Sequence, residues 1–122
     1  MSTMTTTRPK LRRGDVVLVL FPHSDLRTAK VRPALVVQAD DLKTGLPQCI
    51  VAMVTSRMSR AGHPSRVAVL LSTPEGTQSG LLTDSVVVTD NLATVFEREI
   101  RRRVGSLPMT EVDISLKHTL GL

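Results

Sequence analysis

The sequence contains an arginine placed where it could hold a phosphate group. Arg32 precedes Pro33 and the apolar run Ala34 to Gln38 (ALVVQ). Its guanidinium stays charged at any accessible pH, and its planar fork matches two phosphate oxygens. Because the ring of Pro33 disfavours helical geometry in the preceding residue, we expect Arg32 to lie in extended chain at the start of a strand. A surface arginine that happens to precede a strand is the alternative.

Hydroxyl and titratable groups that could complete a phosphate site lie at two further places. Thr55 and Ser56 stand where the apolar run Ile50 to Thr55 (IVAMVT) ends. A threonine hydroxyl can donate to a phosphate oxygen, but its pKa is too high for it to act alone as a base. His23 lies near Asp25 in the loop before the arginine, and its unperturbed pKa of about 6.5 suits proton transfer. The alternatives are a structural Thr55 that caps or extends its strand and a solvated loop histidine.

Motifs for metal, nucleotide and nucleophile chemistry are absent from the sequence. There is no CxxC, HExxH, GxxxxGK[ST], GxGxxG or GxSxG motif, and the three histidines lack the spacing of a zinc site. With two Phe and no Tyr or Trp, the chain lacks the aromatic platforms on which RRM and cold-shock modules stack bases. We therefore expect no metal and no cofactor, and any RNA contact should use arginine, hydroxyl, amide and backbone groups.

The charge distribution favours a polyanionic partner. Sixteen Lys and Arg against eleven Asp and Glu give a formal net charge of +5. Residues 42–74 include no acidic residue, so this stretch could meet phosphates without repulsion. Its basic residues are Lys43, Arg57, Arg60 and Arg66, and further basic clusters lie at 8–13 and 101–103. A solvated charged face is the alternative.

Short apolar runs separated by turn-forming segments predict a mainly β domain. The runs are rich in β-branched residues, and no long amphipathic helix lies between them. They are Val16 to Phe21, Ala34 to Gln38, Ile50 to Thr55, Val67 to Leu71 and Ser85 to Val88. This pattern is typical of antiparallel strands in a small barrel or strongly curved sheet. The continuous apolar runs imply that both faces are covered, in part by a second subunit.

One helix is predicted, over Met109 to Leu120. Thr110 and Asp113 have the spacing of a capping box, three apolar residues four positions apart share one face, and Gly121 ends the helix. Residues 1–10 are polar and are expected to form a flexible leader, and residues 11–122 a single domain. Cys49 is expected in a buried strand. Without an apolar run suited to a signal or a membrane span, the chain is expected in the cytoplasm and away from membranes.

Three segments carry a resemblance to a known family. They are RGDVV at 13–17 with KVRPALVVQ at 30–38, VTS at 54–56 with GHP at 62–64, and DSV at 84–86 with DNLATV at 90–95 and RVGSL at 103–107. Taken in order, they resemble the MazF/PemK family, the toxins of type II toxin–antitoxin pairs. The resemblance runs from about residue 12 to the C-terminus, and RPALVV is its most specific part.

The resemblance implies a compact SH3-like β-barrel, the fold of MazF, PemK and CcdB toxins, with short helices and a C-terminal helix. It implies a homodimer and a sequence-specific, metal-independent endoribonuclease that cleaves single-stranded RNA to 2′,3′-cyclic phosphate and 5′-hydroxyl ends. A small cognate antitoxin is the implied protein partner, and DNA is expected only as a ligand of the toxin–antitoxin complex.

The resemblance also assigns site residues. Arg32 and Thr55 match the recurrent catalytic pair of the family. Some members carry a glutamate five residues before the arginine, where this chain has Arg27, which leaves His23 and Asp25 as candidate proton carriers. The candidate RNA-binding residues are Arg27, Lys30, Ser56, Arg57, Arg60, His63, Asp84, Ser85, Asp90 and Asn91. Asp84 and Asp90 could instead be ordinary turn residues.

Two other functions are compatible with the same fold, because fold alone does not fix function. CcdB-like toxins poison gyrase without catalysis, but they engage it through C-terminal residues that include a tryptophan, and this chain has none. An inert nucleic-acid-binding relative is the other alternative, and the retention of both Arg32 and Thr55 weighs against it.

Overall fold

The computed structural model describes residues 10–22 and 27–122, which form six β-strands and two α-helices. The strands are β1 (Asp15–Pro22), β2 (Ala29–Val36), β3 (Gln48–Thr55), β4 (Arg66–Val69), β5 (Ser85–Phe96) and β6 (Ile100–Ser106). The helices are α1 (Pro74–Ser79) and α2 (Thr110–Leu120), and 3₁₀ turns lie at Met58–Arg60 and Glu97–Glu99.

All six strands form one antiparallel sheet in the order β4-β5-β3-β2-β1-β6. The mainly β class is confirmed, and the five predicted apolar runs overlap β1 to β5. In the part of the chain that is described, no ladder joins β4 to β6, so the sheet is not closed as the predicted barrel would be. The sixth strand was not predicted because Arg101, Arg102 and Arg103 interrupt its apolar pattern.

Both faces of the sheet are covered, as the apolar runs predict. Along β1, Val16 faces one apolar core and Val17 and Val19 face the other, because successive side chains of a strand point to opposite faces. The first core, which we call the helix core, joins strand residues to α2 through Val16, Leu35, Val54, Val87, Val112 and Leu116, of which the last two belong to the helix. The second core joins β1, β2, β3, β5 and β6 through Val17, Val19, Ala34, Val36, Val51, Val95 and Ile100.

An irregularity in β5 changes the course of the sheet beside α2. Met53 of β3 pairs with Val88, whereas the preceding Ala52 pairs with Leu92, so residues 89–91 have no counterpart on β3. Within this bulge Thr89 is fully buried. Its hydroxyl lies 2.8 Å from the carbonyl oxygen of Ser65 and 2.9 Å from the hydroxyl of Ser115 in α2, so the bulge is fixed to the helix.

The predicted C-terminal helix is present without its predicted cap, and α1 was not predicted. Helix α2 begins after Met109, which provides no side-chain cap, so the predicted capping box is wrong. Asp113 instead pairs with Arg13, whose guanidinium nitrogen lies 2.7 Å from the carboxylate. Gly121 ends α2 with a positive φ of 72°, as predicted. Helix α1 lies in one of the turn-forming segments between apolar runs, and it is capped by the Thr73 hydroxyl, which accepts from the amide of Gly76 at 3.1 Å.

The RGD segment at the start of β1 is structural. The Nε of Arg13 donates to the carbonyl oxygen of Val37 at 2.9 Å, and Asp15 accepts from the Nε of Arg103 on β6 at 2.9 Å. These bonds link β1 to the end of β2, to α2 and to β6. They give Arg13 and Asp15 structural roles in holding β1 to its neighbours.

Cys49 is buried in β3, as predicted, and burial raises the pKa of its thiol to about 11. At neutral pH it therefore stays a neutral thiol. Neither helix of the described chain is long and apolar enough to cross a membrane.

Candidate active site

Arg32 lies on β2 at the rim of the second core. It pairs with Val19 of β1, and its side chain is exposed, whereas Ala34, two residues further along the same face, is fully buried. The extended geometry that Pro33 favours is thus observed. The guanidinium stands where the sheet meets solvent, as a phosphate contact requires.

Thr55 is the last residue of β3 and pairs with Val86 of β5. Its hydroxyl oxygen accepts a hydrogen bond from the backbone N–H of Arg57 at 3.2 Å. The structural role considered from the sequence is therefore present, since this bond shapes the turn after the strand. It uses an oxygen lone pair and leaves the hydroxyl proton able to donate to a phosphate oxygen.

The register of β2 and β3 aligns these two residues. Their ladder pairs Ala34 with Met53, Leu35 with Ala52 and Val36 with Val51. Pro33 has no N–H to extend that ladder. The ladder ends at Ala34 and Met53, and Arg32 and Thr55 each lie two residues beyond that pair, on the face of the sheet that carries Ala34. Arg32 and Thr55 thus share one face at one end of the sheet.

Several basic candidates lie at this same end. Lys30 pairs with Phe21 and, two residues from Arg32, points to the same face of β2. Arg27 is exposed just before β2. Beyond Thr55, the chain continues through three further exposed candidates, which are Ser56, Arg57 and Arg60. A surface with positive charge therefore flanks Arg32 on the side of β2 and Thr55 on the side of the 3₁₀ turn.

A second group of candidates surrounds the bulge of β5. Arg66 donates to both carboxylate oxygens of Asp90, at 2.9 and 2.8 Å, and these hydrogen bonds hold the pKa of Asp90 below its usual range. The charge of Arg66 is thereby matched, although its sequence neighbourhood contains no acidic residue. His63 accepts from the amide of Ser65 at 3.0 Å, and Asn91 is exposed beside Asp90.

Asp84 and Ser85 have local structural contacts. Asp84 accepts from the amide of Leu71 at 2.8 Å. Ser85 is buried, and its hydroxyl donates to the carbonyl oxygen of Thr83 at 2.9 Å. These bonds agree with the turn interpretation of Asp84, and the RNA-binding role of both residues stays a prediction.

Two candidate residues lie outside the described part of the chain, and its described part contains no metal-binding cluster. His23 and Asp25 lie outside the described residues, so their placement is not tested. Among the residues described, no group of three or more His, Cys, Asp or Glu could hold a metal ion. Sequence reasoning missed the bond between Thr55 and Arg57 and the pair of Arg66 with Asp90. The bond between Thr55 and Arg57 could have been found from the sequence, because only two positions separate the residues. The pair of Arg66 with Asp90 could not, because 24 residues separate them.

The family model for the PemK-like, MazF-like toxin of type II toxin–antitoxin systems matches residues 12–119. The chain belongs to this family. The match includes every described candidate residue. Among solved structures, an endoribonuclease in complex with its cognate antitoxin from a mycobacterial species is 24% identical, with a TM-score of 0.68 over 92% of this chain and 96% of that chain.

Two further toxin structures support the same fold. A chain of the MazE-MazF complex from Deinococcus radiodurans is 21% identical, with a TM-score of 0.70 over 93% of this chain and 99% of that chain. The Mycobacterium tuberculosis toxin MazF-mt6 is 23% identical, with a TM-score of 0.60 over 86% of this chain and 92% of that chain. This PemK-like chain therefore has the MazF fold over nearly its whole length.

Proposed function

We propose that this PemK-like toxin acts in the cytoplasm as a sequence-specific, metal-independent endoribonuclease that cleaves single-stranded RNA to 2′,3′-cyclic phosphate and 5′-hydroxyl ends. The observation that carries the proposal is the register of β2 and β3, which puts Arg32 and Thr55 just beyond the same end of their ladder and on one face of the sheet. Basic residues flank the pair on both sides, and the proteins of similar fold include an endoribonuclease, which supports RNA as the substrate.

The reaction needs few protein groups because RNA carries its own nucleophile. The ribose 2′-oxygen attacks the adjacent phosphorus, the bond from phosphorus to the 5′-oxygen breaks, and the departing 5′-oxygen takes up a proton. Arg32 donates to the equatorial oxygens of the phosphorane, whose negative charge is greatest at the transition state. Thr55 donates its hydroxyl proton to an oxygen of the same phosphate, and its fixed bond to Arg57 holds that hydroxyl in place.

Two proton transfers remain to be assigned in this proposal. A guanidinium and a threonine hydroxyl are both poor proton acceptors, so neither side chain of the pair is proposed as the general base. His23 and Asp25 are the proposed proton carriers. If His23 carries a proton, the pH–rate profile has an inflection near its pKa, and His23→Ala removes that inflection. If the pH–rate profile of His23→Ala is the same as that of the wild type, Asp25 or solvent carries the protons instead.

We also propose that the toxin is a homodimer inhibited by a small cognate antitoxin, with DNA bound only by that complex. A groove of about 410 Å³ beside the end of α2 supports the dimer. Its apolar lining includes the exposed Leu42, Leu92, Leu120 and Leu122. Exposed apolar groups grouped in this way mark association surfaces. Sedimentation of a stable monomer at micromolar concentration would contradict the dimer.

The decisive experiment incubates the purified protein with a long single-stranded RNA in EDTA and determines the chemistry and sequence of the new ends. Discrete cuts with cyclic phosphate ends support the proposal and reveal the recognition sequence. The matched control is Arg32→Ala. Intact RNA together with inhibited gyrase supercoiling would instead favour a CcdB-like poison, and intact RNA that is bound would favour an inert nucleic-acid-binding relative.

A further inference from the structure

The guanidinium of Arg66 joins two segments that are distant in the sequence. Arg66 is the first residue of β4, and its Nε and one terminal nitrogen donate to the two carboxylate oxygens of Asp90 in the bulge of β5. Its other terminal nitrogen donates to the backbone carbonyl oxygen of Arg60 at 3.2 Å. All three nitrogens of this planar fork are therefore engaged, and they fix the chain at residue 60 relative to the bulge.

The first of these segments continues directly from Thr55. We call residues 56–61 the Thr55 turn. Its backbone is closed by a bond of 3.0 Å from the amide of Arg60 to the carbonyl oxygen of Arg57, whose own amide donates to the Thr55 hydroxyl at 3.2 Å. Arg57 and Arg60, two of the candidate RNA-binding residues, are exposed on it. A chain of short hydrogen bonds thus runs from the Thr55 hydroxyl to the carbonyl that Arg66 holds.

The second segment is the bulge of β5, residues 89–91. Its first residue is bonded to α2, and its second, Asp90, is bonded to Arg66. Its third, Asn91, is exposed. A side-chain amide can donate and accept hydrogen bonds at once, which suits it to the edges of unstacked bases. The bulge therefore presents a group able to distinguish bases, at a position that Arg66 links to the Thr55 turn.

The charge of Arg66 is matched within the protein, whereas the charges on the Thr55 turn are not. The side chain of Arg66 is 20% exposed, and its fork, which could hold two phosphate oxygens, is taken by the carboxylate of Asp90. Within the described chain, Arg57 and Arg60 form no ion pair, so their charges are available to RNA. Arg66 is therefore placed to orient other groups rather than to bind a phosphate itself.

We propose that Arg66 is a positioning residue for RNA recognition, which holds the phosphate-binding Thr55 turn at a fixed spacing from the base-reading Asn91. The inference rests on the proposed function for its substrate. Without Arg66, the turn still offers its two arginines to any RNA. A fixed spacing favours the sequences whose phosphates and bases fit together, because they gain both sets of contacts without a further cost of ordering the turn. Loss of Arg66 should therefore reduce discrimination between sequences more than affinity for RNA in general.

The test measures cleavage at many sites of one long single-stranded RNA, with the new ends counted by sequencing. The readout is the selectivity ratio, which is the initial rate at the most-used wild-type site divided by the median rate at the weaker sites. Arg66→Gln removes the fork, and Arg66→Lys keeps the charge without it. Arg13→Gln is the matched control, because Arg13 also donates to a carboxylate and to a backbone carbonyl, but beside α2. Circular dichroism melts set an assay temperature at which every variant is folded.

Fixing the backbone of one residue corresponds to about 5- to 30-fold in an equilibrium constant. We therefore expect the selectivity ratio to fall at least about fivefold in both Arg66 variants, through a higher KM at the preferred site, and less than about twofold in Arg13→Gln. Arg57→Gln, which removes a proposed phosphate contact, should slow all sites alike and keep the wild-type ratio, because phosphate contacts are independent of sequence.

Hydrogen exchange without RNA measures the positioning directly. The amide of Arg60 should exchange faster in both Arg66 variants than in the wild type, because the turn that it closes is no longer held, while exchange in β3 stays unchanged. Unchanged exchange of this amide in Arg66→Gln would show that Arg66 does not hold the turn and would overturn the inference.

An unchanged selectivity ratio in both Arg66 variants overturns the inference, even if their Tm is lower. Slower cleavage at every site in Arg66→Gln, with wild-type behaviour of Arg66→Lys, also overturns it and assigns a phosphate contact to Arg66. An equal fall of the ratio in Arg13→Gln does so as well, since any loosening of the fold would then suffice. A wild-type protein that cuts no RNA refutes the proposed function together with the inference, whereas cutting with unchanged selectivity in the variants refutes the inference alone.

Discussion

Arg32 provides the sharpest test of the candidate active site. Arg32→Ala removes one donor group that is aimed at the transition state, and the loss of such a donor costs about 2.7 to 4 kcal/mol, or roughly a hundredfold to a thousandfold in cleavage rate. Arg32→Lys keeps the positive charge but loses the fork that matches two phosphate oxygens. We expect its rate to lie between those of the wild type and Arg32→Ala.

The same substitutions should leave the fold intact. Arg32 is exposed, and its side chain makes no hydrogen bond or ion pair with the described residues, so the free energy of unfolding should change by less than about 0.5 kcal/mol. Lys30→Ala is the matched control, because Lys30 is exposed on the same face of β2 two residues earlier. Lys30→Ala removes a nearby positive charge but leaves the Arg32 guanidinium in place.

The assay is single-turnover cleavage of a defined RNA with enzyme in excess, so that the chemical step is measured. Thr55→Val, which preserves shape and deletes the hydroxyl, should also slow cleavage, though less than Arg32→Ala. The double variant should be slowed by less than the product of the two single effects if both groups contact one phosphate. A folded Arg32→Ala protein that cleaves within about threefold of the wild type would refute the reasoning.

Three further predictions concern the fold that supports the site. Thr89→Val should lower the free energy of unfolding by about 1 to 3 kcal/mol, because buried polar partners lose their bonds, whereas the exposed Thr94→Val should have little effect in the same denaturant titration. Gly105→Ala should cost at least about 1 to 3 kcal/mol by that measurement, since a Cβ there would overlap the backbone of α1. Asp90→Asn should lower Tm at neutral pH. The bonds from Arg66 lower the folded-state pKa of Asp90, so its stabilisation is present above the unfolded pKa of about 3.9 and is lost as the pH falls through the folded pKa. Equal Tm differences between Asp90→Asn and wild type at pH 7 and at about pH 2 would contradict this account.

The apolar pattern of the sequence predicted the greater part of the sheet. Runs of β-branched residues identified five of the six strands, because each strand contributes to one or both apolar cores and so needs side chains of that type. The C-terminal helix was predicted by its apolar spacing, and its end by Gly121. These features depend on residues close together in the chain, so local chemistry specifies them.

Features that depend on distant partners were missed or wrongly assigned. The Arg-rich strand β6 forms because β1 pairs with its backbone, which the charge of its side chains does not reveal. Asp113 had the spacing of a capping residue, but Arg13, 100 residues earlier, is its partner. The Asp113 carboxylate thus bonds to the donor that the fold brings within reach, not to the one that is nearest in sequence.

The sequence by itself determined which residues suit phosphate chemistry. It placed Arg32 in extended chain through Pro33 and put the hydroxyl of Thr55 at the end of an apolar strand. Only the tertiary structure decided that these two residues share a face and that Asp90 matches Arg66. The physical reason is that strand register is set by burying both faces of the sheet at once, which is a property of pairs distant in sequence.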